Sequence, residues 1–169
     1  MARSDAFNEP GRFTAFTGYE WSSIGSRPGV FGNLHRVVIF RDDKEITGQI
    51  TPYSTYDSLN PEDQLVWLQQ YEADTGGEVI AIPHNPNLSN GEMFAMTTIA
   101  GEPITAEWAV IRSRYEPLAK VTQLKGDSES HPLLSPSDEF ADFETWNSWS
   151  GYYDNWEGHT CCEDRLLPG

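Results

Sequence analysis

A chain of 169 residues fits one domain, and a domain of that size buries roughly 70% of the surface its unfolded chain exposes. Hydrophobic residues make up 38% and aromatic residues 12%, which excludes an intrinsically disordered polymer. Asp and Glu number 26 against 11 Lys and Arg, a net charge of −15, so the average surface repels nucleic-acid backbone and anionic headgroups, and both are disfavoured as partners.

The start, MARSDAFNEPGRF, has no apolar signal core, and no stretch approaches the ~18 apolar residues of a membrane span. Residues 13–21, FTAFTGYEW, are rich in Phe, Thr, Tyr and Trp without a helical period, which predicts a strand ending near Glu20. After a Gly- and Pro-rich loop, residues 34–40, LHRVVIF, read as a second strand stopped by Arg41, Asp42, Asp43 and Lys44. Asn60-Pro61-Glu62-Asp63 joins a capping side chain, a proline for the first turn and two acids at the positive end of the helix dipole. Leu65, Leu68 and Tyr71 follow at helical spacing, and Gly76-Gly77 closes the helix. Residues 78–83, EVIAIP, form a continuous apolar run that predicts a strand buried on both faces and delivers His84.

The second half repeats the plan. Thr105 caps a helix with Trp108, Ile111, Arg112 and Tyr115 along one side, Pro117 ends it, and residues 119–124, AKVTQL, are the next strand candidate. A polar loop from Lys125 to His131 follows, and Ser135-Pro136-Ser137-Asp138 predicts a further helix carrying Phe140, Phe143 and Trp146. Strands alternating with helices predict an α/β fold, with βα units around a parallel sheet or barrel. The expected division is a β/α domain over residues 1–146 and an irregular aromatic and acidic tail over 147–169. Cys161 and Cys162 are adjacent, so they neither staple a loop nor form a CxxC metal pair.

In parallel α/β folds the working residues gather at the carboxyl ends of strands. Three polar clusters fall there: Glu20 in GYEW, His84 and Asn85 in PHNPN, and the loop holding Lys125 and His131. A carboxylate and two imidazoles from separate strands are ordinary ligands for Zn, Mn or Fe. A Glu among Phe, Tyr and Trp needs a cation or several donors; the competing reading of Glu20 is an ion pair with Arg36. For His84 the competing reading is a ring bonded to a backbone carbonyl, and for His131 simple solvation. His35, Arg36, Asn85 and Lys125 are weaker candidates for touching a small, anionic substrate; ordinary pairing with acids competes for the two cations, and a surface role for His35. GxSxG, GxxxxGK[ST], HExxH and GxGxxG are all absent, which weakens serine-hydrolase, P-loop, zincin and dinucleotide readings.

The segments FTGYEW, NLHRVVIFRD, TGGEVIAIPHNPNLSNG and RYEPLAKVTQLKGDSESHPLLSPSDEFADFETW resemble the branch of the PHP (polymerase and histidinol phosphatase) superfamily catalogued as domain of unknown function 3604. The resemblance covers about residues 13–146. It implies a distorted β/α barrel with two or three divalent cations, hydrolysing phosphoesters or related bonds. On this resemblance Glu20 and His84 are ligands and catalytic residues, and His131 a further ligand. The cations would polarise the substrate and lower the pKa of a bound water. The His-x-His of the first strand and the Asp-x-His near the end are absent, so the resemblance implies a partial barrel without its first and last strands, a piece of a longer protein. The alternative from another class is a noncatalytic binding or structural module whose aromatic tail docks on a partner.

Overall fold

The protein is described here by a computed structural model covering residues 2–24, 32–123, 126–127, 132–133 and 135–142. Three strands, β1 (Thr17–Ser23), β2 (Leu34–Phe40) and β3 (Val79–Pro83), form a sheet in the order β1-β2-β3. The run LHRVVIF makes the central strand because its β-branched and aromatic residues suit a pleated surface packed on one side. Leu34, Arg36, Val38 and Phe40 are buried, while His35, Val37 and Ile39 are half-buried on the other face. In β1 Trp21 and Ser23 join the buried face, and in β3 Val79, Ala81 and Pro83 do so.

Helices α3 (Pro61–Thr75) and α4 (Ala106–Tyr115) close that face. α3 begins where the sequence places it: Asn60 accepts a hydrogen bond from the Glu62 amide, Pro61 fills the first turn, and Gly76 ends the helix in the left-handed conformation at φ 70°. Leu65, Leu68 and Tyr71 cluster with Trp21, Leu34, Val38, Phe40, Val79 and Ala81, each buried aliphatic side chain contributing about 1.5–3 kcal/mol. Tyr71 also stacks edge-on against Phe40 at 4.9 Å and donates its hydroxyl to Asp42 at 2.8 Å. α4 starts at the Thr105 cap and ends before Pro117. Short helices α1 (Ala2–Phe7) and α2 (Lys44–Thr47) precede β1 and follow β2 in sequence.

The architecture is mixed α/β, but the expected parallel sheet is not what forms. β1 pairs β2 and β2 pairs β3 in antiparallel register, giving a small open sheet. The reason lies in residues 41–60. That connection returns the chain to the start of β2, where Leu59 accepts a bond from Ser23 and Pro61 one from Arg36. α3 then runs back to the end of β2, where Tyr71 meets Asp42. β3 therefore begins beside Phe40 and runs against β2. A helix between two strands reads as a crossover only when nothing else makes the return trip.

Four further expectations change. β1 runs to Ser23, which puts Glu20 in the interior of the strand rather than near its end. β3 is buried on one face, with Ile80 and Ile82 only half-buried on the other. The strand expected over 119–124 is reduced to a hairpin of β4 (Thr122–Gln123) with β5 (Gly126–Asp127), while the Lys120 amide donates to Pro83 at 2.8 Å. Residues 135–142 form successive turns instead of a helix: Asp138 accepts the Phe140 amide, a local bond that competes with helical pairing. Phe143, Trp146 and the tail over 147–169 lie outside the described residues.

Candidate metal centre

Because β2 is antiparallel to both neighbours, the ends of β1 and β3 and the start of β2 share one rim of the sheet. Register places Ser22 opposite His35, and the His84 amide donates to the His35 carbonyl at 3.2 Å, extending the row to the third strand. Ser22, His35 and His84 thus line up across the sheet, all on the face away from α3. Glu20, one pleat back on β1 and opposite Val37, points to the same side.

Diagonal neighbours on one face are within reach of long side chains, and Glu20 uses that reach. Its Oε1 lies 2.7 Å from Nδ1 of His35 and 3.1 Å from Nε2 of His84. The two imidazole rings are 5.7 Å apart between centroids. One donor atom from each of the three residues falls within 4.8 Å of the others, and this is the one such group of His, Cys, Asp and Glu among the described residues. The Glu20 side chain is 52% exposed, against 21% for His35 and 13% for His84, so solvent reaches the group from the carboxylate side.

Burial pushes the Glu20 carboxyl up, but hydrogen bonds from His35 and His84 and their charge together hold it below its ordinary value. A carboxylate in that setting stays ionised at neutral pH. The donor chemistry fits a divalent cation: one anionic oxygen and two imidazole nitrogens. His84 also has the usual supporting contact, since its Nδ1 faces the carbonyl of Ile82 at 3.4 Å while Nε2 faces Glu20. A serine triad does not fit, because Ser22 Oγ and the Glu20 carboxylate meet the same ring atom, Nδ1 of His35, at 2.9 and 2.7 Å. In a triad they occupy opposite nitrogens.

A family model for proteins of unknown function, DUF3604, matches residues 1–161. The chain belongs to this family. The family description carries no activity, and no curated protein and no solved structure matches the chain. In this DUF3604 chain two of the remaining sequence candidates, Arg36 and Asn85, are engaged elsewhere than in the cluster. Arg36 points to the opposite face of β2, is 3% exposed, and pairs with Glu116 at 2.6 Å, with further bonds to Pro61 and Gln64 and its guanidinium over Trp21. Asn85 is fully buried and donates to the Asn33 carbonyl at 2.6 Å. Lys125 and His131 lie outside the described residues.

His35 is the member whose place the sequence left obscure, because an isolated His at the second position of a strand has no motif around it. The period-two alternation of LHRVVIF puts His35 and Arg36 on opposite faces, but only the strand register brings His35 to Glu20. Among the described residues no helix is long and apolar enough to cross a membrane.

Proposed function

We propose that Glu20, His35 and His84 hold a divalent cation, Zn, Mn or Fe, in a metal-dependent hydrolase acting on a phosphoester or related bond. The observation that carries this reading is that a single carboxylate oxygen, Oε1 of Glu20, touches Nδ1 of His35 and Nε2 of His84. The likeness of FTGYEW and IPHN to PHP proteins supports the hydrolytic class, and on that likeness His131 is included as a further ligand. The partial, distorted barrel belongs to the same proposal: β1 has β2 as its only strand partner among the described residues, leaving an edge open to extension.

When bound, such an ion polarises a phosphoryl or carbonyl oxygen and lowers the pKa of water. The chain's own residues do the rest. Glu20 supplies the negative charge that draws a cation and, being half-exposed, leaves one side of the site open to a small substrate. Val37 and Ile82, register partners on the same face, provide an apolar floor that strengthens electrostatic contacts at the rim. Arg36 binds no substrate in this reading, since Glu116 already satisfies it on the other face.

Metal analysis of the purified protein and titration with Zn and Mn test the proposal. The expected result is stoichiometric uptake by the wild type, loss of uptake in Glu20→Ala, His35→Ala and His84→Ala, and cation-dependent hydrolysis of a chromogenic phosphoester. If none of the three substitutions changes metal content, the ligand assignment fails. Uptake without turnover of any phosphoester would instead favour the noncatalytic module.

A further inference from the structure

The far side of the His35 ring carries information that the cluster itself does not. Nε2 of His35 lies 2.7 Å from Oδ1 of Asn33, two residues earlier in the chain. A carbonyl oxygen only accepts, so this contact places the proton on Nε2. Nδ1 faces the Glu20 oxygen, which also only accepts, so that atom donates to Glu20 until a cation takes the place of its proton; with Nε2 protonated toward Asn33, the lone pair offered to the cation is then on Nδ1. His84 is arranged in the same sense with the nitrogens exchanged: Nδ1 faces a carbonyl, that of Ile82, and Nε2 faces Glu20. Each ring thus has an oxygen acceptor on its outer nitrogen and the shared carboxylate oxygen on its inner one.

Asn33 is itself held in place. Its amide donates to the Leu88 carbonyl at 3.1 Å, and its own carbonyl accepts from Asn85 Nδ2 at 2.6 Å. Asn85 is fully buried at the entry to the single helical turn Pro86–Leu88, directly after His84. The segment that supplies His84 therefore also grips the residue that orients His35.

We propose that Asn33 is a positioning residue which fixes the tautomer and rotation of His35 so that Nδ1 is the cation-facing atom, with Asn85 anchoring Asn33. This rests on the metal-site reading and deepens it: the HNPN segment contributes one ligand directly and organises a second through two asparagines. Such supporting contacts orient ligand rings and set their basicity, and losing one costs roughly 10- to 100-fold in metal affinity.

The test uses the full chain labelled with 15N-histidine. Only four histidines are present, so His→Gln variants assign the ring signals. In the wild type with Zn, long-range 1H–15N spectra are expected to show His35 bound through Nδ1 and protonated on Nε2. Asn33→Ala should weaken Zn binding roughly 10- to 100-fold and leave the ring a mixture of both orientations. Asn33→Asp, which retains an acceptor oxygen, should restore Nδ1 binding and near wild-type affinity. A purely structural role would not produce rescue by Asp together with a change in which nitrogen binds Zn. Coordination through Nε2 in the wild type, or an Asn33→Ala variant with unchanged affinity and unchanged Nδ1 binding, overturns the proposal. If the wild type takes up no Zn, the metal-site reading fails separately, and the rotation of the metal-free His35 ring, read from its nuclear Overhauser contacts, still decides the role of Asn33. A ring that loses its fixed rotation in Asn33→Ala upholds it, and one that keeps it overturns it.

Discussion

The two faces of the three-stranded sheet are built from alternate residues of the same strands, yet they treat charge in opposite ways. On the helix-covered face Arg36 is fully enclosed, and its guanidinium meets Glu116, Gln64, the Pro61 carbonyl and the Trp21 ring. Arg112, half-buried, bonds the other oxygen of Glu116 at 2.7 Å and also donates to the Met93 carbonyl, completing an Arg-Glu-Arg group that ties β2 to α3 and α4. Burial pushes the Arg36 pKa down, against the opposing pull of Glu116. On the other face Glu20 is half-exposed and, among the described residues, meets two imidazoles, with solvent on its open side. The first face uses charge to lock elements together, whereas the second leaves a charge available.

That contrast sets the expected effects. The largest is Glu116→Ala, which strands the buried Arg36 without its counter-ion and should cost about 3–5 kcal/mol in urea unfolding. Glu20→Ala on the open face should stay within about 1 kcal/mol in the absence of metal. Equal losses from the two substitutions would erase the distinction between the faces. Leu68→Ala, in the core beneath the closed face, should cost about 3 kcal/mol from lost burial and the cavity left behind. A divalent cation at 100 times its dissociation constant should stabilise the wild type by about 2.7 kcal/mol, read as a rise in melting temperature. The same addition should leave Glu20→Ala unmoved.

Smaller still, Asn60→Ala removes the α3 cap and should cost about 1 kcal/mol without changing metal uptake. The last effect appears only in alkali. Burial, aided by the nearby Glu72 carboxylate that accepts its hydroxyl at 2.8 Å, pushes the Tyr115 phenol up to about 12. Tyr71 shifts in the same direction, by burial first and then through Asp42. A folded-state pKa raised above the unfolded value of about 10 favours folding below that pH. The contribution is lost as pH climbs from 10 through about 12. Urea midpoints should fall across that window, and Tyr115→Phe should flatten the fall.

Local signals were legible in the sequence wherever the chain solves a local problem. Asn60-Pro61 and Gly76 mark α3 because orphaned backbone groups at helix ends demand particular residues, and Thr105 and Pro117 frame α4 for the same reason. That LHRVVIF and VIAIP form strands was readable from their β-branched and apolar composition, whereas the one-sided burial of VIAIP was not. Strand direction was not, because it depends on the path of residues 41–60, a stretch with no period to reveal it. Glu20 and His84 stood out by their settings in GYEW and IPHN. His35 and Asn33 did not, since their significance comes from the pairing of β1 with β2 and from the grip of Asn85 on a loop 52 positions away in sequence.

The row running Ser22, His35, His84 across three strands makes the site a matter of parity. Inserting or deleting one residue early in β2 would exchange His35 for Arg36 at the rim, turning a ligand inward and a guanidinium outward. Only changes in steps of two preserve the odd-and-even assignment of side chains. Chains that retain this centre should therefore tolerate length variation freely in the connection over residues 41–60, and in the first half of β2 only in pairs.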